Sequence, residues 1–212
     1  MRRVLVTAGP TREKIDPVRF ISNYSTGTFG YEIAREALRR GCRVTLVSGP
    51  TSLAAPQGVK FVGVETAAEM RRAVLKNIKN GDCVIMAAAV SDWRVRRPSA
   101  AKIKRKRESE RVLELVENPD ILREIRKRKA PAALVGFALE TEGLRGNALK
   151  KLKEKNLDMI VANRLGRGSS AFGDKKTDVL MIDRFGRETE AKGRSKRELA
   201  KIILDKAFGL GI

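Results

Sequence analysis

The residues between Ile15 and Gly30 are the stretch of this sequence best suited to holding an anionic ligand. The segment IDPVRFISNYSTGTFG follows an apolar run, Val4 to Ala8, and precedes an amphipathic segment. Serine, threonine and glycine at the start of a helix leave backbone N–H groups free to bind an anion. Gly27 and Gly30 allow a ligand to approach the backbone, and Asn23 offers an amide that donates and accepts. The alternative is an ordinary strand-to-helix loop with capping residues.

Two other stretches hold residue types that suit nucleotide chemistry. In AAAVSDW, at 87–93, the small alanines would let a flat ligand lie on the backbone. Asp92 offers an acceptor to a sugar hydroxyl, a base amine or, through water, a magnesium ion. Phe137 in GFALET could stack on a base. The structural alternatives are an ordinary strand exit for the first stretch and a core aromatic for the second.

Four lysines are placed where they could neutralise phosphate groups. Lys102 and Lys104 lie in a dense run of charge and could reach a triphosphate as point charges. Lys151 and Lys155 are one helical turn apart, so their side chains point the same way. For each pair, the alternative is a solvent-exposed charge without a ligand.

Missing residue types exclude several classes of site. The chain has no histidine, and its two cysteines, Cys42 and Cys83, belong to no CxxC pair. A zinc site, a Ser-His-Asp triad and a Cys-His dyad are therefore excluded. We expect both cysteines to be small core residues. Acid–base chemistry must then use Lys, Asp, Glu, Tyr or the substrate itself.

An alternation of strands and helices must position these residues. Apolar runs with β-branched residues predict strands at 4–8, 43–48, 60–64, 82–88, 112–116, 132–139 and 157–162. Apolar stripes, glycine stops and capping residues predict helices at 27–40, between Thr66 and Gly81, after Asn118, at 144–155 and after Ser195. This order indicates an α/β fold with a Rossmann-like, mostly parallel, doubly wound sheet. Its ligand site is expected at the carboxyl ends of the strands, beside loops 9–26 and 89–101.

We expect a single domain, at 1–212, with two additions to this sheet. The segment at about 94–111 is dense in charge and is expected to form a charged flap. Residues at about 177–193, around Gly186, are expected to form a C-terminal antiparallel hairpin.

The overall charge indicates which kinds of partner the protein can attract. Lys and Arg number 45 against 25 Asp and Glu, a net charge of +20, which favours nucleic acid or small phosphorylated substrates. The alternative is the charged surface of a heat-adapted protein. No apolar run approaches the roughly 20 residues that span a bilayer, and no cleavable signal is seen. A cytoplasmic location without membrane contact is therefore expected.

Taken in order along the chain, several motifs resemble those of the phosphopantothenoylcysteine synthetase family. They are TAGPTREKIDPVRFISNYSTGTFG, AAAVSDW, KIK, ENPDIL, VGFALET and LDMIVAN. That enzyme is the C-terminal half of the bifunctional coenzyme A biosynthesis flavoprotein, and it stands alone in some organisms. The resemblance implies a Rossmann-like fold and a homodimer. We expect no FMN in this chain, because no flavin-binding half is seen.

The resemblance also implies a two-step ligase reaction that requires Mg²⁺. A nucleoside triphosphate, CTP in most microbial members or ATP in others, activates the carboxylate of 4′-phosphopantothenate as an acyl-nucleotide and releases pyrophosphate. The amine of L-cysteine then displaces the nucleotide. Nothing in the sequence distinguishes CTP from ATP.

The resemblance also implies roles for individual residues, which are matched to the family position by position. Asn23 matches the asparagine that holds the acyl intermediate, and Lys102 matches a catalytic lysine of the flap. Ser25 and Gly27 lie in the same substrate-binding turn, and Arg19 matches an arginine thought to meet the substrate phosphate across the dimer. The nucleotide-contacting positions are Met86, Ala87, Ala88, Asp92, Lys102, Pro119, Asp120, Ile121, Leu122, Phe137, Lys151 and Lys155. The metal ligands are left open.

The turn departs from the pattern of the family at three positions. Thr26, Thr28 and Phe29 stand where serine, lysine or arginine, and methionine are usual. The missing basic residue predicts either a weaker phosphate contact or a substitute in Arg12.

Two other classes of function fit parts of the pattern. A nicotinamide-dependent oxidoreductase would suit the sheet, but no GxGxxG follows the first strand, and the second ends in LVSGP without an acidic residue. A nucleic-acid-binding module would suit the charge, but aromatic residues are only 5% of the chain. We therefore expect no specific nucleic-acid partner.

Overall fold

The computed structural model describes residues 1–105, 110–128, 130–165, 173 and 175–210. The strands in this part of the chain are β1 (Arg3–Ala8), β2 (Arg12–Lys14), β3 (Phe20–Ser22), β4 (Arg43–Ser48), β5 (Lys60–Gly63), β6 (Cys83–Met86), β7 (Trp93–Val95), β8 (Leu115–Glu117), β9 (Ala133–Glu140), β10 (Met159–Arg164), β11 (Thr177–Asp183) and β12 (Glu188–Arg194). The helices are α1 (Thr28–Arg39), α2 (Ala67–Asn77), α3 (Ile121–Arg128), α4 (Leu144–Glu154) and α5 (Lys196–Phe208). None of these helices is long and apolar enough to cross a membrane.

Eight of the strands form one sheet, in the order β12-β11-β10-β9-β6-β1-β4-β5. The six strands from β10 to β5 in this order are parallel, whereas β11 and β12 run antiparallel to their neighbours. The chain runs from β1 outwards to β5, and then returns to β6 on the other side of β1. The strand order therefore reverses between β1 and β6, where open α/β sheets bind their ligands.

Helices cover both faces of the sheet. α1 and α5 pack on one face, over a core that includes Val6 and Ile203. α2, α3 and α4 pack on the other face, over a core that includes Leu5 and Met70. Because successive residues of a strand point to opposite faces, residues 4–8 of β1 are buried on both faces, and all of them except Thr7 are apolar.

The structure confirms the predicted fold class. The sheet is mostly parallel and doubly wound, and β11 and β12 form the predicted C-terminal hairpin, which begins at Thr177 and ends at Arg194. The flap at about 94–111 is described only in part, because residues 106–109 lie outside the described residues.

Two short antiparallel ribbons are absent from the sequence-based prediction. β2 pairs with β3 inside the loop that follows β1, and β7 pairs with β8 at the base of the flap. The predicted strand at 112–116 is therefore wrong in its bounds, because only Leu115–Glu117 pair, opposite Trp93–Val95. Strands of three residues are too short to show a clear alternation of apolar and polar residues.

The predicted start of α3 is also wrong. The side chain of Asp120 accepts a hydrogen bond from the N–H of Arg123, so Asp120 caps this helix. Asn118 was the expected cap, but its amide donates to the carbonyl of Ser91 at 2.9 Å. Asn118 thus fastens the segment before α3 to the loop that follows β6.

Gly30 allows α1 to pack against β1. A Cβ atom on Gly30 would lie 2.5 Å from the Cβ of Ala8 and 2.7 Å from the carbonyl oxygen of Thr7. These strand atoms belong to the backbone or are attached directly to it, so they cannot move aside without displacing β1. The glycine therefore fixes the distance between the strand and the turn that begins α1.

We predict that Gly30→Ala lowers the free energy of unfolding by roughly 1–3 kcal/mol, the usual cost of overpacking. Gly146→Ala is the matched control, because Gly146 lies in α4 with no atom within 4 Å of its added Cβ. That control should raise the stability by roughly 0.5–1 kcal/mol. Urea unfolding of both variants measures the difference, and equal stabilities would contradict the close contact.

Candidate active site

Two adjoining clefts open at the carboxyl ends of β1, β6 and β9. The turn cleft has a volume of about 410 Å³ and is lined by residues 23–29, at the start of α1, together with 87–90 and Asn163. The loop cleft has a volume of about 860 Å³ and is lined by residues 117–123 and 90–94. The two clefts share five residues, which we call the junction: Ala88, Val90, Asp92, Phe137 and Lys151.

The turn cleft ends at the N-terminus of α1. Gly27 precedes this helix with a φ of +82°, and no side chain caps the helix start within the described part of the chain. The hydroxyl groups of Thr26 and Thr28 lie 2.8 Å apart and bond each other. The first N–H groups of α1 therefore lack a side-chain acceptor, as in helix starts that bind anions.

Backbone hydrogen bonds join the loops that follow β1 and β6. The carbonyl of Ala89 accepts from the N–H of Thr11 at 3.2 Å, and the N–H of Ala89 donates to the carbonyl of Gly9 at 2.9 Å. The Asn23 amide nitrogen also donates to the Ala89 carbonyl, at 3.0 Å. Asn23 is thereby held at the mouth of the turn cleft, beside the small residues that end β6.

Lys151 places a half-buried ammonium group at the junction. It extends from α4 and donates to the carbonyl of Phe137 at 2.9 Å. Burial lowers the pKa of Lys151 below its ordinary value, against the opposing influence of the Asp92 and Glu140 carboxylates. Asp92 is exposed and lines both clefts. A reacting group at the junction would therefore meet one cation and one carboxylate.

Lys155 lines only the loop cleft, where it pairs with Asp120. Burial opposes ionisation of Asp120, but the hydrogen bonds from Lys155 and the Arg123 N–H, together with the charges of both residues, outweigh it and hold the pKa of Asp120 below its ordinary value. The same cleft contains four of the predicted nucleotide contacts that are mainly apolar, namely Met86, Pro119, Ile121 and Leu122. This surface suits a flat ring, with charge at one end.

Two polar residues of the turn cleft are missing from the sequence-based prediction. Lys196, the first residue of α5, is only 4% exposed, and its ammonium donates to the carbonyl of Gly173 and lies 5.5 Å from the Phe29 ring. Asn163, in β10, is 7% exposed. A positive charge in the first turn of a helix interacts unfavourably with the helix dipole. The position of Lys196 directly after the predicted helix start at Ser195 was therefore the sequence signal that could have singled it out.

The carboxylate of Asp16 fastens the beginning of the flap. It is buried and accepts hydrogen bonds from the N–H groups of Val18, Arg19 and Ile103 and from the Arg19 guanidinium. Arg19 also donates to the carbonyl of Ile103 at 2.6 Å. Burial opposes ionisation of Asp16, but these donors outweigh it and hold the pKa of Asp16 well below its usual range.

The structure brings most of the predicted site residues together. Those that line one or both clefts are Asn23, Ser25, Gly27, Met86, Ala87, Ala88, Asp92, Pro119, Asp120, Ile121, Leu122, Phe137, Lys151 and Lys155. Arg19 and Lys102 line neither cleft. Arg19 binds Asp16 instead, and Lys102 is exposed beside the fastened Ile103. The roles assigned to these residues stay predictions.

The expected substitute for the missing basic residue of the turn lies elsewhere. The guanidinium of Arg12 lies over the Phe20 ring, 4.6 Å from its centroid, and Arg12 lines neither cleft. Lys196 brings a positive charge to the start of α1 instead, because its ammonium lies over the ring of Phe29, the second residue of that helix. The sequence did not indicate this, since the two residues come from opposite ends of the chain.

Known proteins resemble this chain in both sequence and fold. It is 47% identical over 173 residues to the Coenzyme A biosynthesis bifunctional protein CoaBC of Bacillus subtilis (strain 168), an alignment that covers 81% of this chain and 42% of that protein. The chain thus spans about two fifths of the length of this relative. A crystal structure of the C-terminal domain of CoaBC has a TM-score of 0.81 at 40% identity, covering 99% of this chain and 95% of that one.

A more distant structure shows the fold alone. It is a Cab2 mutant in complex with phosphopantothenate-cysteine, with a TM-score of 0.77 at 19% identity, covering 99% of this chain and 87% of that one.

Fold and clefts together define a doubly wound α/β protein with an open site at the point where its strand order reverses. The family model of the DNA/pantothenate metabolism flavoprotein C-terminal domain matches residues 1–210. The chain therefore belongs to this family, which confirms the resemblance seen in its motifs.

We predict that Asp16→Asn frees the beginning of the flap. Trypsin should then cut after Lys102 and Lys104 faster than in the unchanged protein, because the amide cannot replace the charged acceptor of four donors. Glu142→Gln, which alters an exposed carboxylate, is the control.

Acid should reduce the difference in stability between the Asp16→Asn variant and the unchanged protein. Because the pKa of Asp16 is lowered by folding, its contribution is complete above the unfolded value of about 4 and is lost as the pH falls below it. Urea unfolding at pH 7 and pH 3 measures this. A difference that is constant with pH, or unchanged cleavage by trypsin, would contradict the role of Asp16.

Proposed function

We propose that this protein is a phosphopantothenate–cysteine ligase of coenzyme A biosynthesis. In this reaction a nucleoside triphosphate, CTP in our proposal, activates the carboxylate of 4′-phosphopantothenate as an acyl-nucleotide and releases pyrophosphate. The amine of L-cysteine then displaces the nucleoside monophosphate. One observation carries the proposal beyond family membership: two clefts meet at a junction that holds a half-buried lysine and an exposed carboxylate.

The two clefts suit the two halves of an acyl-nucleotide. The apolar surface of the loop cleft and the stacking face of Phe137 suit the nucleoside. The turn cleft suits the acyl part, because Asn23 stands at its mouth beside Ala88 and Ala89. The bond between the acyl group and the α-phosphate would then lie at the junction.

Residues at the junction can stabilise the charge that each step develops. Lys151 is partly desolvated, so its ammonium acts on a nearby phosphate more strongly than an exposed lysine would. Asn23 is uncharged, and its amide can donate to an oxyanion on the acyl carbon. Lys102 would add a further cation from the flap. No histidine is needed, since the nucleotide supplies the activation.

The carboxylates of the site fit a magnesium ion that is bound together with the nucleotide. Mg²⁺ is commonly held by one or two carboxylates plus the phosphates of a substrate. Asp92 lines both clefts and fits that role, whereas Asp120 is paired with Lys155. The described residues contain no cluster of three or more His, Cys, Asp or Glu side chains that could hold an ion. Bound Mg²⁺ would neutralise charge on the triphosphate.

The assay that tests this function is pyrophosphate release. The protein is mixed with 4′-phosphopantothenate, Mg²⁺ and CTP, ATP, GTP or UTP in turn, with or without L-cysteine. We expect release that depends on the acid, is fastest with CTP, and becomes continuous when cysteine is added. No release with any of the four nucleotides would contradict the function, and faster release with ATP would correct the nucleotide.

We predict that Asn23→Asp separates the two steps. The variant should release pyrophosphate about once per site but transfer the acyl group to cysteine roughly 10²-fold more slowly, the cost of one lost oxyanion donor. Rapid-quench analysis with labelled nucleotide should show the acyl-nucleotide accumulating on the protein. Asn77→Asp, in α2, is the control, since its amide contacts Ala73 away from both clefts. Equal slowing of both steps, or of neither, would remove Asn23 from this role.

We also propose a homodimer, which is supported by apolar side chains on the two ribbons. Val18 and Phe20 in or beside the β2–β3 ribbon are 59% and 44% exposed, and Val112 and Leu115 near β8 are 91% and 42% exposed. Such clustered apolar exposure is typical of interaction sites. The hairpin edge is a less suitable interface, because β12 carries charges along its exposed side, as protected edge strands do.

Val18→Asp and Val112→Asp should each weaken the dimer at least tenfold, because burying one unpaired carboxylate costs more than 1.4 kcal/mol. Sedimentation should give a mass near twice 23.5 kDa for the unchanged protein and a lower average for both variants. Phe185→Asp is the control, since Phe185 is 62% exposed and lies between β11 and β12, outside both ribbons. A fully active monomer would contradict the dimer.

A further inference from the structure

Lys196 carries a buried charge at the first position of α5. Lys196 is 4% exposed and follows the helix cap Ser195, so it combines burial with an opposing helix dipole. Its ammonium donates to the Gly173 carbonyl and lies over the Phe29 ring. The side chain nevertheless forms part of the wall of the turn cleft. A cation has thus been placed beside the start of α1 by a helix from the far end of the chain.

Asn163 supplies a second polar group to the same wall. It lies in β10, is 7% exposed, and lines the turn cleft. Its backbone takes part in the sheet, but its side-chain amide has no hydrogen-bond partner anywhere in the described residues. A polar side chain that is nine-tenths buried and faces a cleft without a partner is available to a ligand.

These two residues and the start of α1 converge from three separate elements. The uncapped N-terminus of α1 provides N–H groups, Lys196 an ammonium and Asn163 an amide. Asp92, at the junction, is the single carboxylate among the described residues that line this cleft. Among the described residues, the groups of this cleft that can donate to an anion thus outnumber its carboxylates.

We propose that Lys196 and Asn163, together with the start of α1, bind the diphosphate group that leaves in the activation step. This proposal rests on the proposed function. A carboxylate oxygen of the acid attacks the α-phosphorus and forms the acyl–phosphate bond. The bond from that phosphorus to the bridging oxygen breaks, and its electron pair leaves with the diphosphate. No proton has to move, because the attacking group is an ionised carboxylate.

Position and charge favour diphosphate over the other anions of the reaction. With the nucleoside in the loop cleft and the α-phosphate at the junction, the β- and γ-phosphates can extend into the turn cleft. Two steps of 5.5 and 5.3 Å, from the Lys196 ammonium to the Phe29 ring and on to the Phe137 ring, separate Lys196 from the junction. Diphosphate also gathers the most charge as the bond breaks, so it gains most from fixed donors. The alternative occupant is the phosphate monoester of the acid.

Titration calorimetry with inorganic pyrophosphate and Mg²⁺ tests the assignment directly. The protein, Lys196→Met and Asn163→Asp are each titrated with pyrophosphate, with CMP and with 4′-phosphopantothenate. Methionine keeps the packing on Phe29 without the charge, and aspartate keeps the shape of asparagine but repels an anion. Lys201→Met is the control, because Lys201 is an exposed lysine of the same helix. Circular dichroism and melting temperature establish that each variant is folded.

We expect both site variants to bind pyrophosphate roughly 10- to 100-fold more weakly, the range for a lost hydrogen bond to a charged group. Their affinity for CMP and for 4′-phosphopantothenate should change less than threefold, and Lys201→Met should bind all three ligands normally. If Lys196→Met does not fold, Asn163→Asp decides the outcome alone.

Three results would overturn the assignment. They are unchanged pyrophosphate affinity in a folded site variant, a loss of affinity for 4′-phosphopantothenate instead, and no binding of pyrophosphate to the unchanged protein. The proposed function fails separately. A protein that binds pyrophosphate through Lys196 but releases none from any nucleotide contradicts the ligase function, whereas normal release with unchanged affinity in the variants contradicts only this inference.

Discussion

The candidate site depends on the hydrogen bonds that join the loop after β1 to the loop after β6. Ala89 is at the centre of these bonds, since its N–H binds the carbonyl of Gly9 and its carbonyl accepts from Thr11 and Asn23. These strands lie on either side of the point where the strand order reverses, so their loops would otherwise diverge. The bonds set the distance between the start of α1 and the small residues after β6, and thereby form the wall of both clefts.

Each lysine of the site has a different electrostatic environment. Lys155 is neutralised by Asp120, Lys151 is partly desolvated at the junction, and Lys196 is buried beside the start of α1. Lys102 lies outside the clefts, next to a backbone segment held by Asp16. Cations placed at intervals in this way can follow the charge of a triphosphate from the α-phosphate outwards. In the proposed function they would supply the charge stabilisation that a chain without histidine needs for acyl activation.

The fold could be predicted from sequence because its signals are local. Continuous apolar strands, capping residues such as Ser195 and the hairpin around Gly186 all specify their own structure. The ribbons could not be predicted, because strands of three residues show no clear period. Asn118 was predicted to be a helix cap because asparagine followed by proline is typical of a helix start. Its amide instead donates to the carbonyl of Ser91, which is distant in sequence.

Most of the site could be located from motifs, because those residues follow parallel strands and so meet at one edge of the sheet. Lys196 and Asn163 could not be placed in this way. Lys196 reaches the turn only because α5 packs beside α1 on the same face of the sheet. Arg12 was one candidate source of that charge, the alternative being a weaker phosphate contact, but its guanidinium lies over the Phe20 ring and lines neither cleft.

The central claim is that the acid is activated by attack of its carboxylate on the α-phosphorus at the junction of the two clefts. The most direct test uses 4′-phosphopantothenate with ¹⁸O in both carboxylate oxygens and follows the label by mass spectrometry. The account predicts one ¹⁸O atom in each nucleoside monophosphate formed, and none in the pyrophosphate. Label in inorganic phosphate, with release of the nucleoside diphosphate, would mean that an acyl-phosphate is formed instead and would contradict the account.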